Sequence, residues 1–387
     1  MAQPSPAIET GSLPTHVLVS FCNVAPAGPT LGMLQVASNR IRVLDVPRRW
    51  SLLGGLTGLA ASGPYLYAMT SRSTAAGPGS GQPPGPSLLL IFDRRDLRLL
   101  NEYRCSSVFD AHSVWATEGE LYVVSTGTDA VVRIRLEEAE VRGEQVYWRP
   151  EPDGPTADGH HLNAIFPWAG DLVVSGFGRK AGPEWSSAHE GFIVRTRTGE
   201  RIVSGVRHPH SLAEVGGMLA YCESSSMALR LADSPRCQTL PGYPRGLCRI
   251  GDQVFVATSR GRRISRSTGA LTTLHDAGEE LAGRCSIVRL GADTLAIEDV
   301  IELDVYGAEV YDLLPVTEVE AWPVSDELAW RDAALRELRE SFDERDAAIS
   351  SLHIEVARRD RTIAWLHGEV AARDRAIAGA RTEPREE

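Results

Sequence analysis

DAHSVWATEGELYVVS, residues 110–125, decides the fold, because its layout of a polar phrase running into a short apolar strand recurs along the chain. Placing Tyr65-Leu66, Glu120-Leu121, Asp171-Leu172, Met218-Leu219, Gln253-Val254 and Thr294-Leu295 in one column aligns the phrases GLTGLA, DAHSVWA, HHLNAIF, HPHSLAE, YPRGLCR and GRCSIVR. Eight residues before each pair stand Thr57, His112, Asn163, His210, Arg245 and Ser286, at spacings of 55, 51, 47, 35 and 41 residues. Four-stranded blades repeat at roughly 40 to 50 residues, so six columns predict an all-β, six-bladed β-propeller over residues 15–320. A β-sandwich or two small β domains would also use short strands, but would not need the same phrase before the same strand. The strands HVLVSFC (16–22) and LQVAS (34–38) are expected to close the ring by pairing near AEVYDLL (308–314), which removes an exposed sheet edge.

The 387 residues are 43% hydrophobic and 24% charged, an ordinary globular composition that excludes wholesale disorder. Arg and Lys number 40 against 51 Asp and Glu, so no overall cationic field draws the chain to nucleic acid. Lys180 is the single lysine and sits in a Gly-Arg-Lys-Ala-Gly context, which argues against Schiff-base chemistry. Six scattered cysteines without a C-x-x-C pair read as reduced thiols. With no signal-like start and no sustained apolar run of about 18 residues, the expected location is the cytoplasm, with no membrane span.

From Ser325 the period becomes helical, and residues 321–381 are expected to form a coiled-coil tail, with disordered ends at 1–14 and 382–387. Leu335, Phe342, Ile349, Val356, Ile363, Val370 and Ile377 fall every seven residues, with Leu338, Arg345, Leu352, Arg359, Leu366 and Arg373 three positions later. Such a stripe predicts a left-handed supercoil and homo-oligomerisation through residues 328–377. A helix folded back on the propeller is the alternative, and dimer and trimer are both open.

DAHSVW, YWRPEP followed by GHHLNAI, HPHSL, and GYPRGL followed by VATSRGRR resemble an uncharacterised bacterial family with a propeller-type domain of unknown function. The matching positions are Asp110 and His112, His161 to Asn163, Pro209 to Ser211, Pro244 to Gly246, and Ser259-Arg260. The resemblance covers roughly residues 15–320, leaves out the tail and implies a fold without an activity. His208, Tyr243 in place of Phe and Ala164 in place of Gly depart from the family pattern.

In a propeller the first strand of each blade lines the central channel, and residues two apart on a strand face the same way. The row two before the anchors is then Gly55, Asp110, His161, His208, Tyr243 and Arg284. Histidine concentrates in these two rows. One reading is a divalent transition metal (Zn, Mn, Fe, Ni or Cu) held by His112, His161 and His210, with Asn163 or Asp110 as oxygen ligand or supporting partner. A second is a metal-free anion site in which Arg245, Arg284 and Arg260 hold a carboxylate or phosphate. A third is a channel whose polar groups satisfy one another and water.

Under the metal reading, the arginines anchor a small anionic, possibly sugar-derived substrate, while His208 and Tyr243 serve as catalytic proton donor and acceptor for lyase, epimerase or hydrolase chemistry. The rival class is a non-catalytic interaction scaffold multiplied by the tail. The Gly/Pro/Ser-rich stretch 74–87 reads as a solvated loop, and the loop 178–191, with Trp185 and His189, as a hairpin connection that could overhang the channel mouth.

Overall fold

The computed structural model describes residues 13–24, 28–47, 49–72, 85–154, 157–182, 184–260, 283–307, 309–317, 322–324 and 327–380. The expected disordered ends fall outside these except for Leu13 and Pro14, as does most of the stretch 74–87. The described residues before the tail form six antiparallel sheets of four strands each. The inner strands of blades 1 to 6 are Leu56–Ser62, Ala111–Thr117, Leu162–Trp168, Pro209–Val215, Tyr243–Ile250 and Val310–Val316.

Second and third strands such as Glu120–Ser125 and Leu88–Asp93 are apolar on both faces because each blade is sandwiched between two others. The outer strand Glu140–Trp148 lacks a fully buried position and carries charge, as an edge facing water should. The core is accordingly distributed. One apolar cluster fills each of the six contacts between neighbouring blades, from Leu66, Phe92 and Val316 between blades 6 and 1 to Phe255, Val17 and Phe21 between blades 5 and 6.

Blade 6 is built from both sides of the sequence. Val310–Val316 pairs with His16–Phe21, with Val19 opposite Leu313, and Leu31–Gln35 and Arg40–Val43 complete the sheet. This is the predicted closure, and it corrects the sixth column of the repeat. Thr294 and Leu295 lie in the turn between the third and fourth strands of blade 5, Ser286–Gly291 and Ile297–Glu302, so Ser286 and Arg284 are not channel positions. The inner strand of blade 6 escapes the alignment because its neighbouring second strand is His16–Phe21 and does not follow it in sequence. Glu309 and Tyr311 take the two places.

Residues 331–387 form a separate compact unit, containing most of one uninterrupted helix, Glu327–Ala380. Side chains of the helix are described at residue 346 and over 349–375, and all of these are exposed. Leu335, Leu338, Phe342, Arg345 and Ile377 of the seven-residue stripe fall outside that set. Among the described residues no helix is long and apolar enough to cross a membrane. All six cysteines are free, and five are buried.

Candidate functional site

Every inner strand carries a β-bulge at or beside its anchor residue. The pairing register slips between Leu56 and Leu59, Ala111 and Val114, Leu162 and Ala164, His210 and Leu212, and Pro244 and Leu247. On blade 6 the slip spans Tyr311 and Asp312, opposite Val19 to Phe21. A bulge frees a residue from the ladder and re-aims its side chain, which is how six strands of different sequence come to present one row.

The residue before the strand is equally specialised in three blades. Asp110, His161 and His208 adopt left-handed backbone with φ of 51°, 51° and 52°, and Gly55 takes φ 82° at the equivalent place in blade 1. Asp and His are among the non-glycine residues that tolerate this region best. Each of the three carbonyls then accepts the N–H of the residue after the second strand: Thr126, Phe177 and Ser224. The earlier row therefore stands on a turn, and its side chains are not obliged to share the face of the anchors two residues on.

Seven side chains form a closed circuit of ring contacts. His112 meets Tyr311 at 5.4 Å, the Arg245 guanidinium lies over Tyr311 at 5.2 Å and over Tyr243 at 5.3 Å, and Tyr243 meets His210 at 5.4 Å. Phe177 joins His210 at 5.3 Å and His161 at 4.6 Å, and His161 returns to His112 at 5.2 Å. Blades 2 to 6 contribute. Blade 1 does not, since Thr57 turns its hydroxyl back to the Met69 carbonyl and Gly55 has no side chain.

Hydrogen-bond partners fix the tautomers of the histidines. Asn163 donates its amide to the His161 carbonyl at 2.8 Å, which leaves its oxygen to accept His112 Nδ1–H at 2.8 Å. His161 Nδ1–H donates to Asp158 at 3.0 Å. His210 Nδ1–H donates to the His208 carbonyl at 3.0 Å and to Ser224 Oγ at 2.8 Å, while the Ser224 hydroxyl donates to the Pro244 carbonyl. All three imidazoles are thus tethered through Nδ1, and in His210, which burial keeps neutral, the lone pair stays on Nε2. In His112 that atom is 3.6 Å from the Asp110 carboxylate.

His208 is held the other way round. Its Nε2–H donates to the Trp185 carbonyl at 2.9 Å, its Nδ1 accepts the Tyr243 hydroxyl at 3.2 Å, and its ring stacks on Phe177 at 4.2 Å. Burial lowers the His208 pKa to about 4. Burial, together with the Arg245 charge, holds His210 well below the ordinary imidazole value. Both are neutral near pH 7, where His208 serves as a strut with both ring nitrogens engaged.

Arg245 is the cation of the circuit. Its side chain is 11% exposed and its nearest carboxylate is Glu309, 4% exposed, at 3.9 Å. Glu309 also accepts the Asn23 amide at 3.0 Å. Arg245 Nε is buried and has no hydrogen-bond partner among the described residues. The other two predicted arginines lie elsewhere. Arg284 is exposed and pairs with Glu302 at 2.7 Å, and Arg260 pairs with Asp304 at 2.9 Å, so the expectation of three converging arginines reduces to one.

Several members of the site were not read from the sequence. Phe177, which with Trp185 encloses His161, is one; Trp185 itself comes from the loop 178–191 that the sequence singled out, with Lys180 over its ring at 4.4 Å. Asp158, Ser224, Asn23, Glu309 and Tyr311 are the others. The signal for the last two was present: Glu309-Val-Tyr311-Asp312 repeats the acid, apolar, ring, polar order of Asp110-Ala-His112-Ser113. Among the described residues no three His, Cys, Asp or Glu side chains gather in an arrangement that would hold a metal ion.

The fold has many distant relatives. The chain resembles a nidogen/laminin complex structure with TM-score 0.51 at 9% identity, covering 77% of this chain and 97% of that one. A protein of unknown function from Bacteroides caccae matches at TM-score 0.49 and 12% identity, over 78% and 99% of the two chains. A proposed 6-phosphogluconolactonase from Bacteroides uniformis matches at 0.42 and 14%, over 79% and 98%. The first of these likenesses speaks to the propeller fold alone. No curated protein matches the sequence. Residues 101–323, which run from the last strand of blade 1 through the closing strand of blade 6, match a domain of unknown function, and the chain belongs to that family, DUF4915.

Proposed function

We propose that the channel circuit binds a small carboxylate or phosphate at Arg245 and exchanges a proton with it at His210 Nε2. The observation that carries this reading is the buried Arg245 guanidinium, held between two tyrosine faces with Nε unpartnered among the described residues and one carboxylate at 3.9 Å. A guanidinium so enclosed can give two parallel hydrogen bonds to an entering anion. The neutral His210 beside it offers Nε2 as a proton acceptor, with Nδ1 tethered so that the ring does not swing. Elimination, epimerisation or hydrolysis next to a carboxylate fits those two groups, on a small anionic substrate such as a sugar acid.

A second reading is favoured by one observation. Histidine ligands to metals characteristically donate the remote ring N–H to a carboxylate, amide or carbonyl, and His112, His161 and His210 each do so. Holding Zn, Mn, Fe, Ni or Cu between them requires the three Nε2 atoms to turn toward a common point, with Asp110 close to one of them.

Thermal melts with gluconate, malate and inorganic phosphate test the first reading. A rise in melting temperature for wild type that disappears in Arg245→Gln supports it, and equal responses in both overturn it. Elemental analysis of tag-free protein tests the second. Near-stoichiometric metal lost in a folded His112→Ala, His161→Ala, His210→Ala variant supports it. No metal after reconstitution overturns it. Absence of both anion and metal binding leaves the scaffold class.

A further inference from the structure

We infer that the helix Glu327–Ala380 pairs with a second copy of itself in antiparallel orientation, in the register that sets His353 against Asp360 of the second copy and Asp346 against its His367. The face is apolar and uncovered: Ile349, Leu352, Val356, Ile363, Leu366 and Val370 are 48% to 64% exposed. Its sequence is a tandem fourteen-residue unit, ISSLHIEVARRDRT (349–362) followed by IAWLHGEVAARDRA (363–376), in which His, Glu, Arg and Asp recur at fixed places beside the stripe.

Those charges choose the geometry. With Ile349, Val356, Ile363 and Val370 at heptad position a, Leu352, Arg359, Leu366 and Arg373 fall at d, the residues His353, Asp360, His367 and Asp374 at e, and Glu355 and Glu369 at g. A parallel in-register pair stacks Arg359 on Arg359 and Arg373 on Arg373, and it sets Glu355 against Asp360 and Glu369 against Asp374. Every such contact is like-charged. In an antiparallel pair a packs on d, so each Arg meets an apolar neighbour and can extend its stem over it to water.

Two antiparallel phases exist. One opposes His353 to His367, Asp360 to Asp360 and Glu355 to Glu369. The other opposes His353 to Asp360 and Asp346 to His367, while Glu355 faces Thr362. Among registers of the second phase, the one with its two-fold between Ala357 and Arg358 forms both His–Asp contacts twice and overlaps the helices over residues 335–380. Within one helix Glu355 already holds Arg359 at 3.0 Å, which neutralises the guanidinium near the two-fold.

Light scattering on the full chain tests the stoichiometry, with about twice 42.0 kDa expected and a monomer or trimer overturning the inference. Orientation is read by cysteine cross-linking after Cys237, the exposed native thiol, is replaced by Ser. Ile349→Cys and Leu366→Cys should stay uncross-linked alone and give disulfide dimers when mixed. Self-cross-linking of either one alone overturns the antiparallel orientation. Register is read by rescue: His353→Asp should weaken the dimer at least tenfold, and adding Asp360→His to the same chain should restore it. A double variant as weak as the single one overturns the pairing.

Discussion

The two arcs of the channel circuit are built from opposite materials. Blades 2, 3 and 4 supply imidazoles, each tethered through Nδ1 to an acceptor on the protein, whereas blades 5 and 6 supply one guanidinium between two phenol rings with a carboxylate behind it. The first arc is rigid by hydrogen bonding. The second has a fixed charge, held mainly by ring faces. A site so divided can anchor an anion on one side and handle a proton on the other without either group neutralising its neighbour.

Phe177 is where the imidazole arc is most exposed to attack, because its ring touches His161, His208 and His210 at once. Phe177→Ala should cost about 4 kcal/mol in urea unfolding, as truncation of a buried aromatic does. A cost below about 1 kcal/mol would show that the three imidazoles hold one another. On the other arc, Glu309→Ala leaves the Arg245 charge without its nearest carboxylate and should cost about 3 kcal/mol, while a double variant with Arg245→Met should recover much of the loss.

Two groups beside the circuit should answer to pH with opposite signs. His208 titrates near 4 in the folded protein and near 6.5 unfolded, so the unfolded state binds more protons between those values. Stability from this group is therefore lost as pH falls through that window. Asp312, beside Tyr311, is half-buried with its carboxylate accepting the Leu59 and Leu313 N–H groups, and desolvation raises its pKa from 3.8 to about 6. Here the folded state binds more protons, and stability is lost as pH rises from about 4 to about 6. Asp312→Asn removes the charge but keeps only one of the two acceptors, so its effect on stability should be more favourable near pH 8 than near pH 4, measured by urea unfolding. Equal effects at both would locate its effect in packing. The smallest change is expected at Ser224→Ala, about 1 kcal/mol from the lost tether of His210, measured by urea unfolding.

The repeat could be read from the sequence because bulge, anchor and second strand keep one spacing through blades 1 to 5, and histidine marks three of the anchors or their neighbours. Sequence adjacency misled where the ring closes: Ser286 and Arg284 imitate a phrase inside blade 5, and the strand that pairs with Val310–Val316 is His16–Phe21, near the other end of the chain. In the second row Asp110, His161 and His208 leave the extended region, so two-residue alternation does not govern where their side chains go, although His161 and Tyr243 still reach the circuit. Phe177 and Trp185 lie outside the repeat column altogether, and only the folding of blade 3 and its loop brings them onto His161.

Closure by Val310–Val316 against His16–Phe21 also sets a timetable. During synthesis the strand His16–Phe21 emerges early and waits with an unsatisfied edge while five blades are made, and the ring cannot lock until its last inner strand leaves the ribosome. The helix that begins at Glu327 follows at once. Every strand of the ring is therefore made before that helix is complete, so closure of the propeller needs nothing from the tail still to be synthesised.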